Sequence, residues 1–498
     1  MQDFRNIDLK SIAKSAMEQY GFEAGFSRQV IREVDTLQEE QIWKENSGGV
    51  KDLRSLLWSS IDNVESLDLD QLEYCEPGQS QEINVKVAIA DVDSFVPKKS
   101  WPDQHAVHNG TSVYTGVEIF PMLPDRLSTN LTSLKAGEDR LAVIIEFSVL
   151  PDGSVRPGEV YRAFVSNKAK LVYEEVGDWL EGNRDMPQSV IGIPGLEEQL
   201  RLQNKASQSL RRFRMEQGAL ELETIEAKPV MRDGTLAGLV VQRKNLARCL
   251  IENFMIAANV TMMNFLEKAG IPVIQRVVRT PEKWDRIMDV AAAHNERLPL
   301  KPDSKALSQF LIRQKESDPE HFPDLSLTIV KLLGAGEYIV LEPGKPPYGH
   351  FGLAVMDYTH ATAPNRRYVD VIIQRLVKSV LEGKSAPYPL KELTDLSLWC
   401  TDRDKAAQKV ERFMRKAAAA VLLGGQIGKS FDAIVTGASE KGTYARIISP
   451  PAEGRIVRGE KGLLVGQKVR VRLAAANPYK GYIDFEKDGV KEKEGKKR

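Results

Sequence analysis

The chain reads as an α+β fold: a sheet-and-helix body, a short helical segment before it and a small C-terminal β-barrel after it. Three observations predict this. β-Branched, strand-like runs cluster between residues 80 and 165. Helical periodicity dominates 170–310 and 365–425, most clearly over Leu246–Lys268 and Ala406–Leu423. Beyond Gly424-Gly425 and Gly428, short alternating runs crowd into about sixty residues, as in a small barrel. The boundaries that follow are a helical segment 1–50, an α+β body 51–425, a barrel 428–487 and a charged tail 488–498 expected to lack fixed structure.

Leu9, Ile12, Ala13, Ala16, Met17 and Tyr20 share one helical face, and a second helical stretch runs from Ser27 to about Trp43. Ser47-Gly48-Gly49 then breaks the chain. Ile83–Ala90 and Leu141–Val149 read as strands, and Pro151-Asp152-Gly153 turns the latter into Val155–Phe164. In the barrel the predicted strands are Phe431–Val435, Tyr444–Ile448, Lys468–Leu473 and Gly481–Phe485. Phe431, Tyr444, Tyr482, Arg446, Arg470 and Arg472 supply groups for base stacking and phosphate contact, or in part for the barrel core.

The 69 basic and 69 acidic residues cancel, which excludes a uniformly basic nucleic-acid binder. The distribution is uneven. Residues 1–80 hold 8 Lys/Arg against 16 Asp/Glu, whereas residues 429–498 hold 16 against 9. A basic C-terminal module suited to a polyanion follows. No apolar run is read as a membrane span, no signal peptide is evident, and Cys75, Cys249 and Cys400 have no metal-ligand spacing. A cytoplasmic protein with reduced, buried thiols is the expectation, acting as a monomer away from membranes.

The chemistry concentrates in Asp62-Asn63-Val64-Glu65-Ser66-Leu67-Asp68-Leu69-Asp70-Gln71. In an extended segment Asp68 and Asp70 share one face and Leu67 and Leu69 the other. Crowded carboxylates repel unless a cation lies between them, and hard oxygens suit Mg²⁺ or Mn²⁺. A solvated acidic loop is the plain alternative. Downstream, Tyr358–Asp370 carries Pro364-Asn365-Arg366-Arg367. If Pro364 opens a helix, both arginines fall in its first turns, where paired guanidinium groups suit a phosphodiester. The competing reading is an internal ion pair of one arginine with Asp370.

Residues 50–486 resemble the ribonuclease II / ribonuclease R family of 3′-to-5′ exoribonucleases, which carry an RNB-type catalytic domain and an S1-like OB barrel. The resemblance rests on Asp62…Asp68-Leu69-Asp70, Ile89-Ala90-Asp91-Val92, Tyr114 with Ile119–Pro124, Leu250–Asn259, Tyr358–Arg367, Lys409-Val410-Glu411-Arg412 and the closing Ile483-Asp484-Phe485-Glu486. It implies that Asp62, Asp68 and Asp70 hold one or two Mg²⁺, with Arg366 and Glu411 completing the catalytic set. It implies that Tyr114, Glu252 and Arg367 contact single-stranded RNA. Products would be nucleoside 5′-monophosphates, released processively. His360 is expected to be structural.

Three departures stand out. Gln71 occupies the place of a usual further aspartate, so a neutral amide joins the metal ligands. A catalytically silent RNA-binding protein is therefore the alternative function. Residues 1–50 do not resemble the cold-shock barrels that usually precede the body. Leu222 stands where some members place an aromatic that clamps the last bases.

Overall fold

The computed structural model describes residues 7–223, 227–232, 235–241, 243–439 and 442–489. The expected charged tail lies outside them except for its first two residues. Three helices open the chain, α1 (Leu9–Gln19), α2 (Arg28–Asp35) and α3 (Glu39–Glu45). The sequence reading has two; Thr36-Leu37-Gln38 interrupts the second. Asp8 starts α1 by accepting from the Lys10 and Ser11 amides at 3.0 and 3.2 Å, which satisfies donors no helix turn can reach.

The body's floor is one sheet. Its strands are β1 (Lys51–Asp52), β2 (Trp58–Asp62), β3 (Gln71–Pro77) and β4 (Ile83–Ala90). After α4 (Trp101–Asn109) and a small hairpin, β5 (Val113–Tyr114) and β6 (Ile119–Phe120), come β7 (Asp139–Val149) and β8 (Val155–Val172). The order is β1-β8-β2-β3-β4-β7, and β7 pairs with β8 as well, so the sheet curls back on itself. β8 makes this possible by running eight residues past Phe164, where the sequence reading stops. It pairs parallel with β1 and β2, and antiparallel with β7. Trp58, Ile61, Leu72, Val87, Ile89 and Ile144 are sealed inside, the apolar burial that drives the layer together.

The next stretch is not purely helical. It holds α5 (Tyr173–Leu180), α6 (Gln188–Ile191), α7 (Leu196–Glu216), the hairpin β9 (Ala227–Arg232) with β10 (Thr235–Val241), α8 (Leu246–Lys268) and β11 (Val273–Val277). Then come α9 (Trp284–Ala293), α10 (Ser304–Ser317), α11 (Phe322–Leu333) and β12 (Glu337–Leu341), the partner of β11. α12 (Tyr368–Leu381) and the 34-residue α13 (Leu390–Leu423) end the body. Asn245 caps α8, accepting from the Arg248 amide at 3.0 Å. By length and composition α8 would pass for a membrane span, which the sequence reading overlooked, but 67% of its apolar window is buried in the fold.

Five strands close the C-terminal barrel: β13 (Ser430–Ser439), β14 (Gly442–Ile447), β15 (Ala452–Arg458), β16 (Lys468–Asn477) and β17 (Tyr482–Lys487), in the order β13-β14-β15-β17-β16. This is an OB-type barrel, and β15 is the strand the sequence reading did not name. Phe431 packs against the barrel core. Arg446 is ion-paired with Asp324 and Arg472 with Glu486, whereas Tyr482 is exposed. The barrel sits against α13, whose Ala419, Ala420 and Leu423 join its core. Gly481 is required where β17 begins: its φ is +57° and a Cβ there would meet the Phe413 ring at 2.6 Å.

Candidate active site

Asp62 is the last residue of β2, and Asp68 and Asp70 lie in the connection to β3. That connection is not a strand, so the predicted division of acids from leucines fails: Leu67 is exposed and Leu69 buried. Contacts from distant segments set its course instead. The Leu69 amide donates to Ser133 Oγ at 3.1 Å, Ser133 Oγ donates to the Leu67 carbonyl at 2.6 Å, and the Ala90 amide donates to the Asp70 carbonyl at 2.9 Å. Glu65 is left exposed, outside the cluster.

Pro364–Arg367 forms a turn ahead of α12, not its first turns. The turn is anchored on α4's far end: Thr111 Oγ1 and the Ser112 amide both donate to the Arg366 carbonyl, at 2.9 and 3.0 Å. It meets the acids directly. The Asn365 amide donates to Asp70 Oδ1 at 2.9 Å, and Arg366 Nε lies 3.3 Å from Oδ2. Arg367 Nη2 donates to Asp370 Oδ1 at 2.7 Å and to Thr362 Oγ1 at 3.4 Å, so the internal ion pair with Asp370 is made by Arg367.

Asp62, Asp68, Asp70, Gln71, Tyr114 and Arg366 line one cavity of about 240 Å³. Tyr114 Oη donates to Asp68 Oδ2 at 3.2 Å, and the Tyr114 amide donates to Glu411 Oε1 at 3.2 Å. The β5–β6 hairpin therefore ties the acid loop to α13. The electrostatics are strained. Burial, opposed by Arg366 and reinforced by the charge of Asp68, pushes the Asp70 carboxyl up to about 7. Burial raises Asp68 too.

Glu252 and Leu222 do not join this cavity. Glu252 pairs with Lys244 at 2.5 Å in a neighbouring cleft, and Leu222 packs on the cluster formed by α9, α10 and α11. α8 explains the separation. Arg248, Ile251 and Met255 face the acids, and Glu252 stands about 100° round the helix from Ile251. Those three, with Tyr173, are site residues the sequence reading missed, although the i, i+3, i+7 spacing offered a signal. Arg248 sits 4.3 Å above the Tyr173 ring and donates to Asn63 Oδ1 at 3.0 Å. His360 lies behind the site, bonded to Tyr338 Oη at 2.8 Å.

Among the described residues no three His, Cys, Asp or Glu side chains gather closely enough to cage a metal. The donors fit a divalent cation differently. Asp62 and Asp68, and Asp68 and Asp70, feel one another's charge, and Asp70 is costly to ionise unaided. Mg²⁺ takes one or two carboxylates and completes its shell with water and phosphate oxygens, which this open, oxygen-lined cavity allows.

The family described as the RNB domain matches residues 50–383, and the RNase II-type exonuclease C-terminal S1 domain matches 429–488. The chain belongs to the RNB family. Nucleases of the RNB family are generally dependent on divalent metals. The chain is 28% identical to Ribonuclease R of Thermotoga maritima over 97% of its own length and 71% of the relative's. Against Ribonuclease R of Escherichia coli the identity is 28%, over 90% of the chain and 58% of the relative. The chain thus spans about seven tenths of the first relative and under two thirds of the second. In three dimensions the RNB body and barrel overlay on Mycoplasma genitalium RNase R in complex with ribose-methylated single-stranded RNA. The TM-score is 0.85 at 22% identity, with 97% of this chain and 78% of that one covered; at that identity the likeness is one of fold.

Proposed function

We propose that this RNB-family chain is an exoribonuclease that hydrolyses single-stranded RNA processively from the 3′ end and releases nucleoside 5′-monophosphates with Mg²⁺ bound. The hydrolase class follows from the RNB domain and the Ribonuclease R relatives. One observation carries the rest: Arg366, brought from 296 residues away, faces Asp70 in a cavity that Asp62 and Asp68 also line.

Asp62, Asp68 and Asp70, with the Gln71 amide oxygen beside them, would hold Mg²⁺ or Mn²⁺, which when bound would supply Lewis acidity to the attacking water and the departing oxygen. Arg366 stabilises negative charge as it grows on the phosphate. Tyr114 offers its ring to the terminal base, and Glu411 holds the Tyr114 backbone in place. Glu252 lies one helix position round from the acid-facing side of α8, paired with Lys244 in the neighbouring cleft, and would contact RNA that extends past the cavity. The reading of a silent RNA binder draws no support, because only position 71 departs from the acid set. A monomer acting in the cytoplasm completes the proposal.

The test is a 5′-labelled single-stranded RNA incubated with Mg²⁺ and, separately, with EDTA. Stepwise shortening from the 3′ end that EDTA stops is the expected result. RNA that shifts on a native gel yet keeps its length would overturn the proposal.

A further inference from the structure

The N-terminal segment supplies no residue to the acid cavity, yet it is built against the strip of chain that carries Tyr114. The buried face of α1, from Leu9 to Met17, shares one apolar cluster with Val113 and Phe120 of the β5–β6 hairpin and with Val410 and Met414 of α13. This cluster is distinct from the core of the sheet. Met17, Val113, Val410 and Met414 have no exposed surface. Val113 precedes Tyr114 and Val410 precedes Glu411, the pair whose amide-to-carboxylate bond crosses from the hairpin to α13 at 3.2 Å.

The loop after α1 grips the same strip at its other end. Asn109, buried at the end of α4, donates through Nδ2 to the Glu23 carbonyl and accepts the Glu23 amide on Oδ1, both at 3.0 Å. Arg403 of α13 donates to the Gly21 carbonyl at 3.0 Å. Its stem packs against Gly110, whose φ is +68° and where a Cβ would meet Arg403 Cβ at 2.7 Å. Residues 109–114 are thus anchored on the N-terminal segment at Asn109 and at Val113. Between those anchors Thr111 and Ser112 hold the Arg366 carbonyl, and Tyr114 follows with its hydroxyl on Asp68. One short strip sets the places of both Arg366 and Tyr114.

We propose that residues 9–23 are a positioning clamp for the active site: they fix the strip Asn109–Tyr114, and through it align Arg366 and Tyr114 with the acids. Met17, Asn109 and Arg403 are positioning residues, since none of them lines the acid cavity. Close-packed interiors transmit strain, so a void opened in the α1 cluster is felt at Tyr114 and Glu411, one residue away. Small misplacements of groups that orient a substrate cost rate steeply. The consequence for cleavage rests on the exoribonuclease reading; the consequence for the backbone of the strip does not.

The test compares the whole wild-type protein with Met17→Ala, which empties part of the cluster, and Arg403→Met, which keeps an aliphatic stem against Gly110 and removes the bond to the N-terminal loop. Hydrogen exchange by mass spectrometry is followed over residues 110–122, where the Ser112 and Tyr114 amides donate to Arg366 and Glu411. Exchange there should be about tenfold faster in both variants, with β4 and β7 unchanged. On single-stranded RNA, kcat/KM should fall about 10- to 100-fold in Met17→Ala. That loss should be at least about threefold smaller in a Tyr114→Ala background, where the ring to be misplaced is already gone; a merely structural loss would be the same in both. Unchanged exchange over the strip, or an equal loss with and without the Tyr114 ring, would overturn the clamp. Arg403→Met carries both measurements if Met17→Ala does not fold. A wild type that cuts no RNA would sink the exoribonuclease reading, and exchange alone would then decide the clamp.

Discussion

Arg366 Nε stands 3.3 Å from Asp70 Oδ2, while the next residue, Arg367, is bound to a different acid, Asp370, at 2.7 Å. Two adjacent guanidinium groups thus serve different ends, one facing the cavity and one bracing it. Arg366→Ala should lower kcat about 10²- to 10³-fold with little change in Tm, the cost of removing one preorganised charge-stabilising group. Arg367→Ala leaves the buried Asp370 with the Ala363 amide but without its cation, so it should destabilise the fold by about 3 kcal/mol. Single-turnover cleavage and thermal unfolding on both variants check the division; equal Tm losses would refute it.

Asp70→Asn removes the acid that touches both Asn365 and Arg366. Cleavage should fall at least about 10³-fold, the scale of losing a principal charge in such a site. RNA affinity, measured by filter binding, should stay within about threefold, because Tyr114 and the barrel are untouched. Retained cleavage would remove Asp70 from the reaction.

The Asp70 carboxyl also predicts a pH response. Its folded value of about 7 exceeds the ordinary 3.8, so the fold favours the protonated form. Its stabilising contribution is complete below about pH 4 and is lost as the pH climbs through 7. In EDTA, wild type should therefore lose stability relative to Asp70→Asn over this window, by on the order of a few kcal/mol at most. Mg²⁺ added at pH 8 should recover part of the loss in wild type alone. Thermal scans at pH 5 and pH 8 provide the check; parallel curves would count against it.

Gln71 lines the cavity with a neutral amide. Gln71→Asp adds a hard anionic ligand and should lower the Mg²⁺ concentration for half-maximal cleavage several-fold. A Mg²⁺ titration of both proteins measures it, and identical curves would place the amide outside the cation's reach.

The acid cluster and Arg366 were legible because each sits in a short string whose chemistry is local. What those strings could not show depends on distant partners. The leucines beside Asp68 and Asp70 were assigned by strand alternation, yet Ser133, more than sixty residues on, bends that connection and exposes Leu67. The roles of Arg366 and Arg367 separate only once Thr111 and Ser112 grip the turn. Helical periodicity dominates the stretch that holds the β9–β10 hairpin, although Asp233-Gly234, a hairpin dipeptide, stands between its strands in the sequence. Arg248, Ile251 and Met255 show a readable period on one face of α8, whereas the pairing of Glu252 with Lys244 in the next cleft depends on a residue outside that helix.

α13 is unbroken for 34 residues, a rod of about 51 Å. Glu411 lies along it, and its far end is built into the barrel. A load placed on the barrel would therefore be carried by the same girder that steadies Tyr114, which makes the two a single mechanical unit.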